Sequence, residues 1–370
     1  MSTKKSELKI ATDEVFQLAN QTNLKINELG KQDESLYEVL ISIQNKFDAI
    51  RNIPSDKLRT YNKDKEVCIK WKQHVDKINE DYKDAQKANV GGGAAATAAG
   101  VGVAFFGPTV AMGIATTFGV ASTGTSIASL TGIAQTNAAL AWLGGGALGA
   151  GGGGMSAGSA ILGLAGPVGW TIAGIAIVSS VFLFWKARSD KKKLENIFLK
   201  VAKRDKRSYE LALVELNERI RKIEQEIPIL RNAINDIITF GTDYNIMTES
   251  QQIKLGTYVN FMNSATTLLV NPILGLQPRY CEKDFDRFID CSPQGPWLNN
   301  DVHNKKDLIV YFANFLYNID TDETDRKLLS KSFRKNKEFI QKMSVDKDAL
   351  SLEFFNIVNK ALEYLYLEKK

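Results

Sequence analysis

The sequence predicts an all-α fold in which long helices and a coiled coil flank a Gly/Ala-rich hydrophobic helical hairpin, followed by a C-terminal helical domain. Apolar residues recur at steps of three and four in both flanks, and residues 88–185 contain no charged residue and no histidine. No run of useful length alternates polar and apolar residues as a strand does. The uncharged third must therefore be hidden from water.

Residues 1–87 are predicted to form N-terminal amphipathic helices. Two apolar stripes at helical spacing define them, and Pro54 marks the break between them. The stripes consist of Leu29, Leu36, Leu40, Ile43, Phe47 and Ile50, and of Val67, Trp71, Val75, Ile78 and Tyr82. The two helices are expected to pack as a hairpin or against a later helix of the chain.

Residues 88–185 are predicted to be an uncharged block that inserts into a membrane. The block holds 23 of the 28 glycines, but Val, Ile, Leu, Phe and Trp recur through it, unlike in a Gly/Ser linker. Since about 20 apolar residues cross a bilayer as a helix, we expect about two to four spans, with residues 161–185 and 94–121 as candidates. The alternative is a hairpin buried in a soluble core, where glycine costs about 1 kcal/mol relative to alanine.

Small residues repeat at every fourth position within this block, a spacing that lets helices approach closely. The predicted membrane-inserting and helix-packing residues are Gly107, Ala111, Ala115, Gly119, Gly145, Gly149, Gly153, Ala165, Gly169 and Ala173, with Trp185 at the headgroup level. Residues 122–137 are polar but uncharged. They are expected to form the tip that crosses the bilayer first, or to line a pore.

Residues 186–239 are predicted to be a basic flank and a coiled-coil helix. Ten basic and three acidic residues occupy positions 186–207, which favours contact with an anionic membrane surface. The expected lipid-facing residues are Lys186, Arg188, Lys191, Lys192 and Lys193. A heptad seam follows, made of Leu213, Leu216, Ile220, Ile223, Ile227, Leu230, Ile234 and Ile237. Pro228 is expected to kink or divide this helix, and the seam favours an intramolecular bundle over a separate coiled coil.

Residues 240–370 are predicted to form a C-terminal helical domain. Helical stretches are expected at residues 257–270, 308–316 and 350–367. The Asp-rich segment 320–325 lacks the glycine and the terminal glutamate of an EF-hand loop. We therefore interpret it as the N-cap of a helix over residues 323–333.

The sequence offers little material for catalysis or for metal binding. It contains two histidines, three cysteines without metal-ligand spacing, and no phosphate-binding loop or nucleophile elbow. We expect no enzyme activity, no cofactor and no metal, and the net charge of +5 gives no argument for nucleic acid. No apolar signal segment follows the N-terminal charges, so the chain is expected to be cytoplasmic when made and then to reach the inner membrane or a target membrane.

Residues 136–155 (TNAALAWLGGGALGAGGGGM), followed by Gly166-Pro-Val-Gly-Trp170, resemble a glycine-rich hydrophobic segment of assorted bacterial proteins. That group includes proteins suspected of acting on membranes in toxin or phage-defence settings. The order of elements resembles α-helical pore-forming toxins of the cytolysin A type, in which an apolar segment folds against the soluble body and swings out on oligomerisation. The uncharged block here is much longer than the hairpin of that family, and a further helical domain follows it.

These observations predict a non-enzymatic bacterial effector that perforates or depolarises a membrane. Its expected partners are an anionic lipid bilayer, further copies of the chain, and a sensor or immunity protein. The coiled helices would serve as an assembly rod and residues 240–370 as a regulatory module. The alternative is structural: a membrane-anchored coiled-coil scaffold, or a small relative of phage tape-measure proteins.

Overall fold

The computed structural model describes residues 7–90, 108–119, 188–291, 302, 305–337, 339–340 and 345–368. Within these residues every regular element is a helix, which confirms the all-α prediction. The α-helices are α1 (Glu7–Asp48), α2 (Ser55–Val90), α3 (Pro108–Phe118), α4 (Arg188–Phe240), α5 (Glu249–Val270), α6 (Glu282–Cys291), α7 (Lys306–Leu316), α8 (Glu323–Lys335) and α9 (Leu352–Glu368). Short 3-10 turns lie at Tyr244–Ile246, Leu274–Leu276 and Lys347–Leu350.

The two longest helices, α1 and α4, lie side by side and run in the same direction. The Lys206 ammonium is 2.8 Å from the Glu14 carboxylate, and a backbone bridge joins Arg51 to Asp243 at the other end. The apolar stripe predicted for α1 is buried against α4, and so is most of the α4 seam. The seam therefore has its partner within the same chain, as the bundle interpretation predicted.

Helix α4 continues through Pro228 without interruption. Proline removes one helix hydrogen bond and costs about 3 kcal/mol in a helix interior. Its neighbours Ile223, Ile227 and Leu230 are buried in the bundle core, and burying such a side chain stabilises the fold by about 1.5–3 kcal/mol. Packing on both sides of the proline outweighs its local cost, so the helix is not divided at Pro228, and the kink stays a prediction.

Helices α2 and α5 complete the bundle and run opposite to α1 and α4. The Tyr61 hydroxyl donates to the backbone oxygen of Gln44, which fixes α2 against the end of α1. The Ser264 hydroxyl on α5 donates to Glu226 on α4 at 3.0 Å. The Asn263 side chain donates to Asp64 at 2.8 Å and joins α5 to α2.

A second core brings helices α6 to α9 together with the first turns of α4. Phe312 lies at its centre, with ring centroids at 4.8 Å from Phe333 and 5.0 Å from Phe355. Asp322 caps α8 and accepts from the backbone N–H of Asp325, which confirms the N-cap interpretation of the Asp-rich segment.

The two cores meet along α4. After α4, the segment from Tyr244 to Leu276 packs into the first core, and the chain enters the second core at Tyr280. The Arg204 guanidinium donates to the backbone oxygens of Phe315 and Tyr317, at 3.0 and 2.6 Å, and so satisfies the C-terminal end of α7. Among the helices that the structure describes, none combines the length and the apolar character needed to cross a bilayer.

Candidate functional site

Helix α3 is the longest part of the uncharged block that the structure describes, and it lies inside the bundle. Each residue from Val110 to Phe118 is buried. The helix carries no charged residue, and its polar side chains are threonines, so it has no strongly polar face for water and is stable in an interior. Its 11 residues extend about 16 Å, roughly half the hydrocarbon thickness of a bilayer.

Helix α3 packs mainly on α1 and α2, with a smaller contact to α5. Where α3 crosses α1, Gly113 lies against Gly30. A methyl group at Gly30 would overlap the Thr109 carbonyl, and a methyl group at Gly113 would overlap the Ile26 carbonyl. Only glycine permits two backbones to approach this closely.

The small-residue stripe predicted for this segment is partly described. Ala111 and Ala115 are both fully buried. Gly119 donates its N–H to the carbonyl of Ala115 and has φ +74°, so it ends α3 in the left-handed conformation that glycine adopts without strain. A side chain at Gly119 would also meet the Val270 carbonyl.

The other predicted membrane-inserting positions lie outside the described residues. They are Gly107, Gly145, Gly149, Gly153, Ala165, Gly169, Ala173 and Trp185, and the polar segment 122–137 lies outside as well. Of the predicted small-residue stripes, the structure therefore describes part of the first one, at Ala111, Ala115 and Gly119.

The contact between Gly30 and Gly113 is not part of the predicted small-residue stripes, although the sequence carries a signal for it. Gly30 is the single glycine in the first 90 residues, and it lies next to Leu29 of the α1 stripe. A glycine in a buried stripe of a long helix indicates close approach by another backbone. Gly113 could be identified as its partner only once α3 was placed.

Turns after α5 hold the C-terminal end of α3. The backbone N–H of Ile273 donates to the carbonyl of Thr117 at 2.9 Å, and the side chain of Gln277 donates to the same carbonyl at 3.0 Å. Since the last carbonyls of a helix have no partner within it, these bonds both satisfy and anchor the end of α3.

A buried carboxyl group lies beside α3, one helical turn from the glycine contact. Asp33 on α1 is completely buried, as is Thr116 on α3. Burial raises the pKa of Asp33 well above its usual range, while the Thr116 hydroxyl and the positive charge of Arg219 act in the opposite direction. Desolvation is the largest of these effects, because a buried carboxylate loses its hydration.

The Arg219 side chain binds the C-terminal end of α5. Its guanidinium donates to the backbone oxygens of Leu268 and Asn271, at 2.5 and 2.8 Å. Burial lowers the pKa of Arg219, whereas the charges of Asp33 and Glu215 raise it. The side chain therefore joins α4, α5 and the Asp33 carboxyl in one electrostatic group.

Asp33 was also missed, and its position shows as a gap in the sequence pattern. The α1 stripe steps by seven from Leu29 to Leu36 before it returns to steps of three and four. Position 33 is where the missing apolar residue belongs, and it carries a carboxylate. A charged residue at a core position of an amphipathic helix indicates a functional or strained site.

The first turns of α4 carry the predicted basic surface. Lys191, Lys192 and Lys193 are exposed, whereas Lys186 lies outside the described residues, as does the side chain of Arg188. Exposed cations continue along the helix at Lys200, Lys203 and Arg207, and we refer to Lys192, Lys200, Lys203 and Arg207 as the basic stripe. Their spacing of eight, three and four residues places them on one side of α4.

The opposite side of the same turns belongs to the second core. Leu194, Ile197, Phe198 and Val201 are buried there. Lys203 pairs with Glu7 of α1 at 2.7 Å. The basic stripe is therefore held on a rigid helix and faces outward.

The fold and the site define this chain as an all-α bundle that encloses an apolar helix and presents a basic surface at one end. No protein-family model matches the chain, and neither a curated protein nor a solved structure similar to it was found.

Proposed function

We propose that this protein is a bacterial membrane-inserting effector, of the toxin or phage-defence type, that forms pores or depolarises its target membrane. It is made in the cytoplasm, keeps α3 of its apolar block inside the helical bundle, and inserts that block into an anionic bilayer as an oligomer. It acts without enzyme chemistry or a cofactor, and a sensor or immunity protein controls its release.

One observation carries this proposal: α3 is enclosed by the amphipathic helices of the same chain. Val110, Ala111 and Met112 follow one another around the helix, and all three are buried, so α3 is enclosed on several sides although it carries no charged residue. The same surface is compatible with lipid, where helices associate through small residues such as Gly113. Insertion requires that α3 leave the Gly30 contact and the anchoring bonds at Thr117.

The basic stripe supports contact with an anionic membrane. A lysine or arginine near such a surface contributes about 1 kcal/mol of attraction. The stripe lies on α4, which follows the uncharged block directly in the chain. Binding along the stripe therefore brings the C-terminal end of the block to the headgroup region.

The test is dye release from anionic vesicles by the full chain, with Leu130→Lys as the diagnostic variant. If residues 122–137 must cross the bilayer, a cation at position 130 opposes crossing by about 2.5–3.5 kcal/mol. We expect the variant to lose most dye release, and Leu130→Met, which keeps a long uncharged side chain, to retain it. Circular dichroism checks that both variants remain folded. Release by Leu130→Lys equal to that of wild type would contradict the insertion of this segment.

The structural alternative has its own supporting observation. Helices α1 and α4 have 42 and 53 residues and lie parallel, which gives a rod about 60 to 80 Å long. A membrane-anchored scaffold or a tape-measure-like protein uses such a rod as a spacer. A scaffold would sediment with vesicles and release no dye, with or without the Leu130→Lys substitution.

A further inference from the structure

We infer that the protonation state of Asp33 sets how firmly α3 is held in the bundle, so that a rise in pH loosens α3 from α1. The inference rests on the proposed function only for its consequence, which is that loosening precedes insertion. The hold itself is a property of the soluble protein and can be measured without a membrane.

The geometry places Asp33 at the contact that would have to open. Asp33 follows Gly30 by three residues on α1, and Thr116 follows Gly113 by three residues on α3, so each pair lies on one helix face. In the described part of the chain, neither Asp33 oxygen has a hydrogen-bond partner of normal geometry, and the Thr116 hydroxyl has none either. The Thr116 hydroxyl lies close enough to favour the Asp33 anion but does not reach normal hydrogen-bond geometry. A carboxylate that is bonded so weakly costs much more in an interior when it is ionised than when it is neutral.

The charged groups around Asp33 do not fully compensate the negative charge that its carboxyl group carries when it is ionised. Helix α3 has no charged residue, and neither do residues 265–270 of α5. Arg219 on α4 acts on Asp33 directly, and Glu215 on the same helix acts on Arg219. On α2, Cys68 and Asp76 act on Tyr37, which lies one turn after Asp33 on α1. Of these, Arg219 favours the Asp33 anion, but it already donates to two carbonyls at the end of α5.

The sign of the pH effect follows from the raised pKa of Asp33. Below the ordinary carboxyl pKa of about 3.9, Asp33 is protonated in both the folded and the unfolded chain, and its contribution to stability is fully present. As the pH rises through the pKa of the folded state, the folded chain must ionise a buried group, so this contribution is lost. Ionisation therefore weakens the bundle at the surface that holds α3.

Hydrogen exchange of the full chain tests this inference, with rates corrected for the intrinsic effect of pH. Each unit by which the folded pKa exceeds the unfolded pKa corresponds to about a tenfold change in the opening equilibrium. We therefore expect the protection of α3 to fall about tenfold or more between about pH 4 and about pH 8. Helix α9, in the second core, serves as the internal control and should change little.

Asp33→Asn gives the matched variant, because the amide has the shape of the protonated acid and does not ionise. Its α3 protection should stay constant across the same pH range. The inference is overturned if wild-type α3 and α9 change in parallel, or if α3 of Asp33→Asn loses as much protection as wild-type α3. Should the variant not fold, the wild-type profile alone decides. A pH-dependent α3 in a protein that releases no dye would retain this inference and remove the proposed function.

Discussion

At the residue scale, three residues lie at the contact between α1 and α3, and they act on it in two opposite ways. Gly30 and Gly113 permit backbone contact between α1 and α3, while Asp33 places an ionisable group next to that contact. The glycines favour the closed bundle, because the helices pack at short range. The carboxylate opposes closure when it is ionised. These opposing effects come from residues that lie within one helical turn of each other.

Gly113→Ala should weaken the bundle because its methyl group would overlap the Ile26 carbonyl, which belongs to a helix backbone and cannot move aside cheaply. Overpacking of this kind costs about 1–3 kcal/mol. Urea unfolding followed by circular dichroism measures the loss.

Gly256→Ala is the matched control for that substitution. Gly256 is exposed on α5 and nothing lies within 4 Å of its added methyl group. Alanine there should stabilise the protein by up to about 1 kcal/mol, because it is the better helix former. Equal effects of the two substitutions would mean that Gly113 is not a contact residue.

At the scale of the elements, the sequence predicts helices well where a repeated pattern exists. The stripes of α1, α2 and α4 extend over many turns, so a single exception such as Pro228 or Asp33 does not hide them. The contact of α3 depends on one glycine in each helix, and a single residue has no period. Its partner is determined by tertiary packing, which no local pattern encodes.

A substitution at Arg204 tests how α4 is connected to the second core. Its guanidinium lies 2.8 Å from Asp205, whose side chain is 4% exposed, and it satisfies the end of α7. Arg204→Gln removes the cation beside a buried carboxylate, which costs about 3 kcal/mol or more. We expect urea unfolding at a lower concentration, with α7 losing hydrogen-exchange protection first.

The control for Arg204 is Arg221→Gln on the exposed side of α4. Arg221 pairs with Glu218 within the same helix, and both side chains are solvent-accessible. Such pairs contribute less than about 1 kcal/mol. If both glutamine variants unfold alike, Arg204 does not connect the two cores.

At the scale of the whole molecule, three structural features come together on the single helix α4. It carries the basic stripe, contributes to both cores, and places Arg219 beside Asp33. Lys200 and Arg219 are separated by about 28 Å along the helix. In the proposed function, docking on a membrane and the release of α3 therefore involve separate parts of α4, and a change in the position of this helix would couple them.

The basic stripe gives a prediction for the intact protein on vesicles. A variant with Lys192, Lys200 and Arg207 replaced by glutamine loses three exposed charges from one side of α4. At about 1 kcal/mol each, its partitioning onto anionic vesicles should fall about a hundredfold. Co-sedimentation at low ionic strength measures this change, and salt should reduce the difference between the variant and wild type, because exposed charges are screened.

Replacing Lys31, Lys46 and Lys63 by glutamine removes the same charge from exposed positions on α1 and α2. If attraction depends on the local density of charge near α4, this control variant should bind almost as well as wild type. If it depends only on net charge, both triple variants should weaken by the same factor. That second outcome would remove the basic stripe as a docking surface and leave the enclosure of α3 as the remaining support for a membrane function.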